Sequence, residues 1–90
     1  MYAQGRKKGM VRFTYKAVDG VQDVSLAADF NGWSLVPMKR QKDGQFAVEM
    51  PVAPGTHEYK FLVDGTWQTD PDHTDWALNP HGTFNSVAQV

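Results

Sequence analysis

From Val11 to Ala17 the chain reads Val-Arg-Phe-Thr-Tyr-Lys-Ala, with apolar and polar positions alternating one by one. A period of two sends Val11, Phe13 and Tyr15 to one side and predicts a β-strand half buried on a core. The same pattern recurs along the chain. Val24, Leu26 and Ala28 share a face in the stretch 23–29, and Phe46, Val48 and Met50 share one in 45–50. In Gly55 to Trp67, Tyr59, Phe61 and Val63 alternate with Glu58, Lys60 and Leu62. Thr83 to Val90 closes the series as a last strand, and Pro37 to Lys42, opened by proline and rich in charge, reads as a short edge strand.

Turn formers separate these runs: Asp19-Gly20, Asn31-Gly32, Asp43-Gly44, Asp64-Gly65 and Asn79-Pro80-His81-Gly82. Asp64-Gly65 predicts a two-residue hairpin, because such a turn needs positive φ and glycine supplies it cheaply. Thr69 to Asp75 is expected to be an ordered loop. No stretch of useful length has a helical period. Short strands spaced by turns within ninety residues predict an all-β chain, a β-sandwich of the immunoglobulin-like kind, without the Cys-Trp-Cys core of true immunoglobulin domains. Met1 to Gly9 is polar, basic and contains two glycines, so residues 1–10 are expected to be a flexible basic N-terminus ahead of one domain, 11–90.

Charge changes this picture little. The net charge is −1, although residues 1–16 hold Arg6, Lys7, Lys8, Arg12 and Lys16 without an acid, and 64–90 hold Asp64, Asp70, Asp72 and Asp75 without a base. Five dispersed terminal cations read as a solvated surface, so neither nucleic acid nor a membrane is expected as a partner. The absence of cysteine removes disulfides and thiolate metal sites. No apolar run is long enough for a signal peptide or a membrane span, and a cytoplasmic location is the expectation.

Ninety residues enclose one modest core, and three tryptophans are a heavy load for it. Trp76, between Asp75 and Ala77 with no turn to display it, is expected to be buried. Trp33 and Trp67 each lie at or just past a glycine turn, outside the alternating apolar face. An indole exposed there offers a flat surface to the C–H side of a sugar ring. Lys60, on the outward phase of its strand, is either a solvated lysine or a donor to sugar oxygens. Thr83 and Asn85, taken alone, are the solvent face of the closing strand.

Catalytic and metal patterns are missing. His57, His73 and His81 have no zinc spacing, and Asp70, Asp72 and Asp75 lack the glycine and terminal glutamate of a calcium loop. Asp64 belongs to a turn, and the later aspartates read as loop formers and caps, leaving no carboxylate pair for glycoside hydrolysis. No catalysis, metal or cofactor is expected.

Val24 to Trp33 ending in Phe-Asn-Gly-Trp, then Pro37-Met38, His57 to Trp67, Asp70-Pro71 and Gly82 to Val87 together resemble the family 48 carbohydrate-binding modules. That family includes the glycogen-binding domain of the AMP-activated protein kinase β subunit and the N-terminal domains of isoamylases and glycogen branching enzymes. The resemblance runs from about Val11 to Val90. It implies an immunoglobulin-like sandwich of the early-set type that binds glycogen, starch or maltooligosaccharides without catalysis. By position it implies sugar contacts at Trp33, Lys60, Trp67, Thr83 and Asn85. His81 stands where the kinase-subunit members have a leucine reaching into the curve of the glucan, and a histidine there can stack or donate. The alternative is a structural module that packs against a catalytic domain or partner subunit of a glucan-processing or kinase complex without binding sugar.

Overall fold

The computed structural model describes residues 1–73 and 75–90. The alternating runs become strands in two antiparallel sheets. The smaller sheet runs β1-β2-β6-β5, with β1 at Tyr2–Gln4, β2 at Met10–Tyr15, β6 at Phe46–Pro51 and β5 at Lys39–Arg40. The larger runs β4-β3-β7-β10-β9, with β3 at Val24–Ala28, β4 at Val36–Pro37, β7 at Thr56–Val63, β9 at Trp76–Leu78 and β10 at Phe84–Gln89. A further short strand, β8 at Thr66–Gln68, pairs with the end of β7. The arrangement is the all-β immunoglobulin-like sandwich that the period-two pattern predicts. No helix among the described residues is long and apolar enough to cross a membrane.

Aromatic side chains join the layers. Phe13 and Tyr15 of β2 point inward and meet Tyr59 and Phe61 of β7 edge-on, with ring centroids 5.1 and 5.2 Å apart. Leu26, Val24 and Val63 fill the space beside them. Each such side chain contributes about 1.5–3 kcal/mol when fully buried, so this cluster holds the sheets together.

At the predicted hairpin, Asp64 and Gly65 both take positive φ, 47° and 83°, as a two-residue primed turn requires. The Asp64 carboxylate also accepts the backbone N–H groups of Gln22 and Asp23, at 3.1 and 2.8 Å. It therefore ties the β7–β8 hairpin to the entry of β3.

Four expectations need correction. The N-terminal segment does not fray throughout: Tyr2–Gln4 pairs with Val11 to Phe13. Tyr2 explains this, since its ring packs edge-on against Tyr59 and His73 and its hydroxyl accepts the Gln89 N–H at 3.0 Å. The edge strand expected over 37–42 is instead two short strands in different sheets. Met38, buried between them, is the point where the chain crosses the sandwich, with its N–H on the carbonyl of Val24.

Asp70, read as a loop former, is 1% exposed. Its carboxylate does cap the loop by accepting the Asp72 N–H. It also accepts the Tyr59 hydroxyl at 2.7 Å and pairs with the Met1 amino group, while its own N–H donates to Ser86 Oγ. The loop expected over 69–75 is thus nailed to the core through Asp70; Thr74, within it, lies outside the described residues. Burial, followed by the Asp70 carboxylate, pushes the Tyr59 phenol far above its ordinary range.

The fourth concerns Trp76, which is exposed rather than buried. It lies on β9, the last strand of its sheet, where the smaller sheet no longer covers it. The ring of Phe84 lies beside it, with centroids 6.0 Å apart.

Candidate functional site

Three pieces of chain meet on the outer face of the larger sheet. The first is the turn after β3. Phe30 stacks on Phe13 of the core, 5.7 Å between centroids, and anchors a single 3-10 turn, Asp29–Asn31. Gly32 and Trp33 follow, both left-handed, with φ of 68° and 62°. Glycine takes this conformation freely, whereas for tryptophan it costs about 1–2 kcal/mol. The surrounding bonds hold it there. Trp33 N–H donates to the Ala28 carbonyl at 2.8 Å, and the Asn31 amide donates to the Ser34 carbonyl. The Asp29 carboxylate accepts Glu58 N–H at 2.9 Å and lies 3.1 Å from His57 Nδ1, binding the turn to β7. Anchored inward by Phe30, the turn turns the indole of Trp33 out, 42% exposed.

The second piece is the β7–β8 hairpin. Tyr59, Phe61 and Val63 are buried, which puts Lys60 and Leu62 on the outer face. Trp67 pairs with Leu62 across the hairpin and is 50% exposed. The third piece is the turn from Asn79 to Thr83, between β9 and β10. Asn79 organises it. Its side-chain oxygen accepts the N–H groups of His81 and Thr83, at 3.0 and 3.1 Å. Its amide donates to Thr83 Oγ1 at 2.7 Å and to Asn85 Oδ1 at 3.0 Å. The network continues on both sides: Lys60 Nζ donates to Thr83 Oγ1 at 3.1 Å, and the Asn85 amide donates to Glu58 Oε1 at 3.1 Å.

Between these pieces lies an open cleft of about 640 Å³. The six residues singled out in the sequence, Trp33, Lys60, Trp67, His81, Thr83 and Asn85, all line it, together with Asn79 and Pro80. Asn85 is not simply solvent-facing, because it is 6% exposed and bonded on both sides. Asn79 and Glu58 join the network without being among the six sequence candidates. Asn-Pro ahead of a glycine is the signature of a turn closed by its own Asn side chain, and that signal pointed to Asn79. Nothing local marked Glu58. Chemically, the cleft offers two indole faces and polar groups held in fixed directions by mutual hydrogen bonds. Among the described residues, no group of three His, Asp or Glu side chains could hold a metal ion.

Comparison with known proteins gives the family of the chain. The family model for the glycogen recognition site of AMP-activated protein kinase matches residues 10–90. The chain belongs to that family. The AMP-activated protein kinase subunit beta-1 of Sus scrofa is 36% identical over 76 residues, which are 84% of this chain and 61% of that sequence. The same subunit of Homo sapiens is 34% identical over 84% of this chain but 27% of its own length. A plant relative, protein PTST homolog 2, chloroplastic, of Arabidopsis thaliana, is 39% identical over 59% of this chain and 10% of its own. This glycogen-recognition module thus spans less than two thirds of each of these relatives. It is a carbohydrate-binding module of a non-catalytic domain type.

Proposed function

We propose that this module binds α-1,4-linked glucans, such as glycogen, starch and maltooligosaccharides, without catalysing their conversion. Trp33 and Trp67 stack on glucose rings, while Lys60, Thr83, Asn85 and His81 hydrogen-bond the hydroxyls. The observation that carries this reading is the meeting of both exposed indoles and the Lys60–Thr83–Asn79–Asn85 network in one open cleft. Stacking suits pyranose C–H faces, and ordered polar groups suit the hydroxyls at their rims. A shallow, wet site of this kind gives weak affinity, with a dissociation constant roughly between micromolar and millimolar. Branched glucans are multivalent, so several modules on one particle gain avidity. The setting we propose is a cytoplasmic kinase or glucan-processing complex, a reading supported by relatives that are subunits of AMP-activated protein kinase.

A second reading draws on the exposed patch of Trp76, Leu78 and Phe84, about half to two thirds accessible and away from the cleft. A patch of this kind is suited to packing against a catalytic domain or partner subunit. Titration of tryptophan fluorescence with maltoheptaose, against cellohexaose as control, separates the two readings. A saturable change with the α-glucan alone, lost in Trp33→Ala and Trp67→Ala variants that remain folded, is the expected result. No response to any sugar from folded protein would leave the packing role.

A further inference from the structure

We propose that the cleft takes α-glucans carrying a phosphate monoester in preference to the same glucans unsubstituted. This rests on the glucan reading of the site and names the ligand class within it.

The polar atoms of the cleft divide unequally into donors and acceptors. A hydroxyl oxygen has two acceptor positions and one hydrogen. Both positions on Thr83 Oγ1 are filled, by Lys60 Nζ and by the Asn79 amide. Its own hydrogen is therefore left to point at a ligand. The Asn79 side chain is spent within the turn: its oxygen accepts twice and its amide donates twice. Asn85 gives one amide hydrogen to Glu58 and keeps the other. Lys60 gives one of three ammonium hydrogens to Thr83 and keeps two. The floor of the cleft is thus weighted towards donors.

Charge points the same way. No carboxylate lines the cleft among the described residues, and Lys60 forms no ion pair there. Glu58, the acid on the same strand, turns to Asn85. His81 is held by its backbone N–H on Asn79, and its imidazole has no protein partner among the described residues. Sugar hydroxyls are donors as well as acceptors and use such a floor only in part. A phosphate monoester is acceptor-only and anionic, and it meets Lys60, Thr83 and His81 with charge-assisted bonds. Stacking on Trp33 and Trp67 is left to the sugar rings.

The test is titration calorimetry at low ionic strength with maltoheptaose, with maltoheptaose bearing one 6-phosphate ester, and with inorganic phosphate alone. The phosphorylated sugar should bind roughly five- to tenfold more tightly than the neutral one. That ratio should shrink at about 0.5 M salt, and it should fall towards one in His81→Leu and Lys60→Met variants. Neutral sugar bound, with the ester bound no better than about twofold more tightly, overturns the inference and leaves the glucan reading intact. A ratio unchanged in both variants also overturns it, as does inorganic phosphate binding as well as the ester. Binding of neither sugar fails the glucan reading itself, and the inference with it.

Discussion

Asn79 offers the most direct test of how the cleft is built. Replacing it with alanine removes four hydrogen bonds, two to backbone N–H groups and two to Thr83 Oγ1 and Asn85 Oδ1. The costs differ. His81 and Thr83 are exposed, so water replaces Asn79 on their N–H groups, and each loss is worth about 0.5 kcal/mol. Asn85 is 6% exposed, and orphaning its oxygen costs about 1–2 kcal/mol. The sum is about 2–3 kcal/mol. A ninety-residue domain is stable by roughly 5–13 kcal/mol, so the variant stays folded. Its melting temperature should fall by about 8–24 °C.

Binding should suffer separately from stability, because Thr83 and Asn85 are no longer aimed before the sugar arrives. Ordering each of them on binding costs about 0.5–1 kcal/mol, so maltoheptaose affinity should drop roughly tenfold. Asn79→Asp sharpens the test. It keeps the acceptor for the two backbone N–H groups but replaces the amide with an oxygen that draws the Thr83 hydrogen away from the ligand. This variant should lose about as much stability as Asn79→Ala, since a carboxylate oxygen then faces Asn85 Oδ1 with no hydrogen between them, and at least as much affinity. Urea unfolding and calorimetry of the same samples read both quantities. Full affinity in a folded Asn79→Ala protein that has lost its stability would refute the argument that the turn preorganises the cleft.

The buried Asp70 should matter to stability and not to sugar: Asp70→Ala takes the charged acceptor from the Tyr59 hydroxyl in the core and should cost about 2–3 kcal/mol by urea unfolding, and a loss under about 1 kcal/mol would contradict the burial. Because the folded state holds the Tyr59 phenol neutral, its contribution is whole below about pH 10. Above that pH the unfolded chain ionises while the folded one does not, and stability should fall by about 1.4 kcal/mol per pH unit for this residue. Tyr59→Phe should show a shallower decline between about pH 10 and 11, and identical slopes would refute the assignment. Trp76→Ser should change stability by no more than about 0.5 kcal/mol and leave maltoheptaose affinity unaltered. A drop of more than about threefold in affinity would mean that the site extends round the sheet edge.

The sandwich was legible because its strands obey a rule that needs only neighbours in sequence. Val11, Phe13 and Tyr15 alternate, and so do Tyr59, Phe61 and Val63, and a half-buried strand demands that spacing whatever it faces. The hairpin at Asp64-Gly65 was legible for the same reason, since two consecutive positive φ angles are a local requirement. Trp76 misled because burial is not local. Residue type favours the interior, but whether another sheet lies over the last strand of β4-β3-β7-β10-β9 depends on how far the smaller sheet reaches, and no pattern in 75–78 encodes that. Asp70 shows the opposite gap. It is the loop cap that its setting among turn formers predicts, but its burial was not legible there, because that depends on Tyr59, Ser86 and Met1 arriving from three distant places. The cleft lies between these cases. The positions of Trp33 and Trp67 follow from turns, which are local, and the six candidate residues are indeed brought together. Their hydrogen-bond directions are not local. Thr83 looks like any exposed threonine until Lys60, twenty-three residues earlier, and Asn79 fill its acceptors and leave it only a hydrogen to offer. Which of these residues donate and which accept is settled only by the fold around them, and on the glucan reading proposed above that distinction is what would set the preferred sugar.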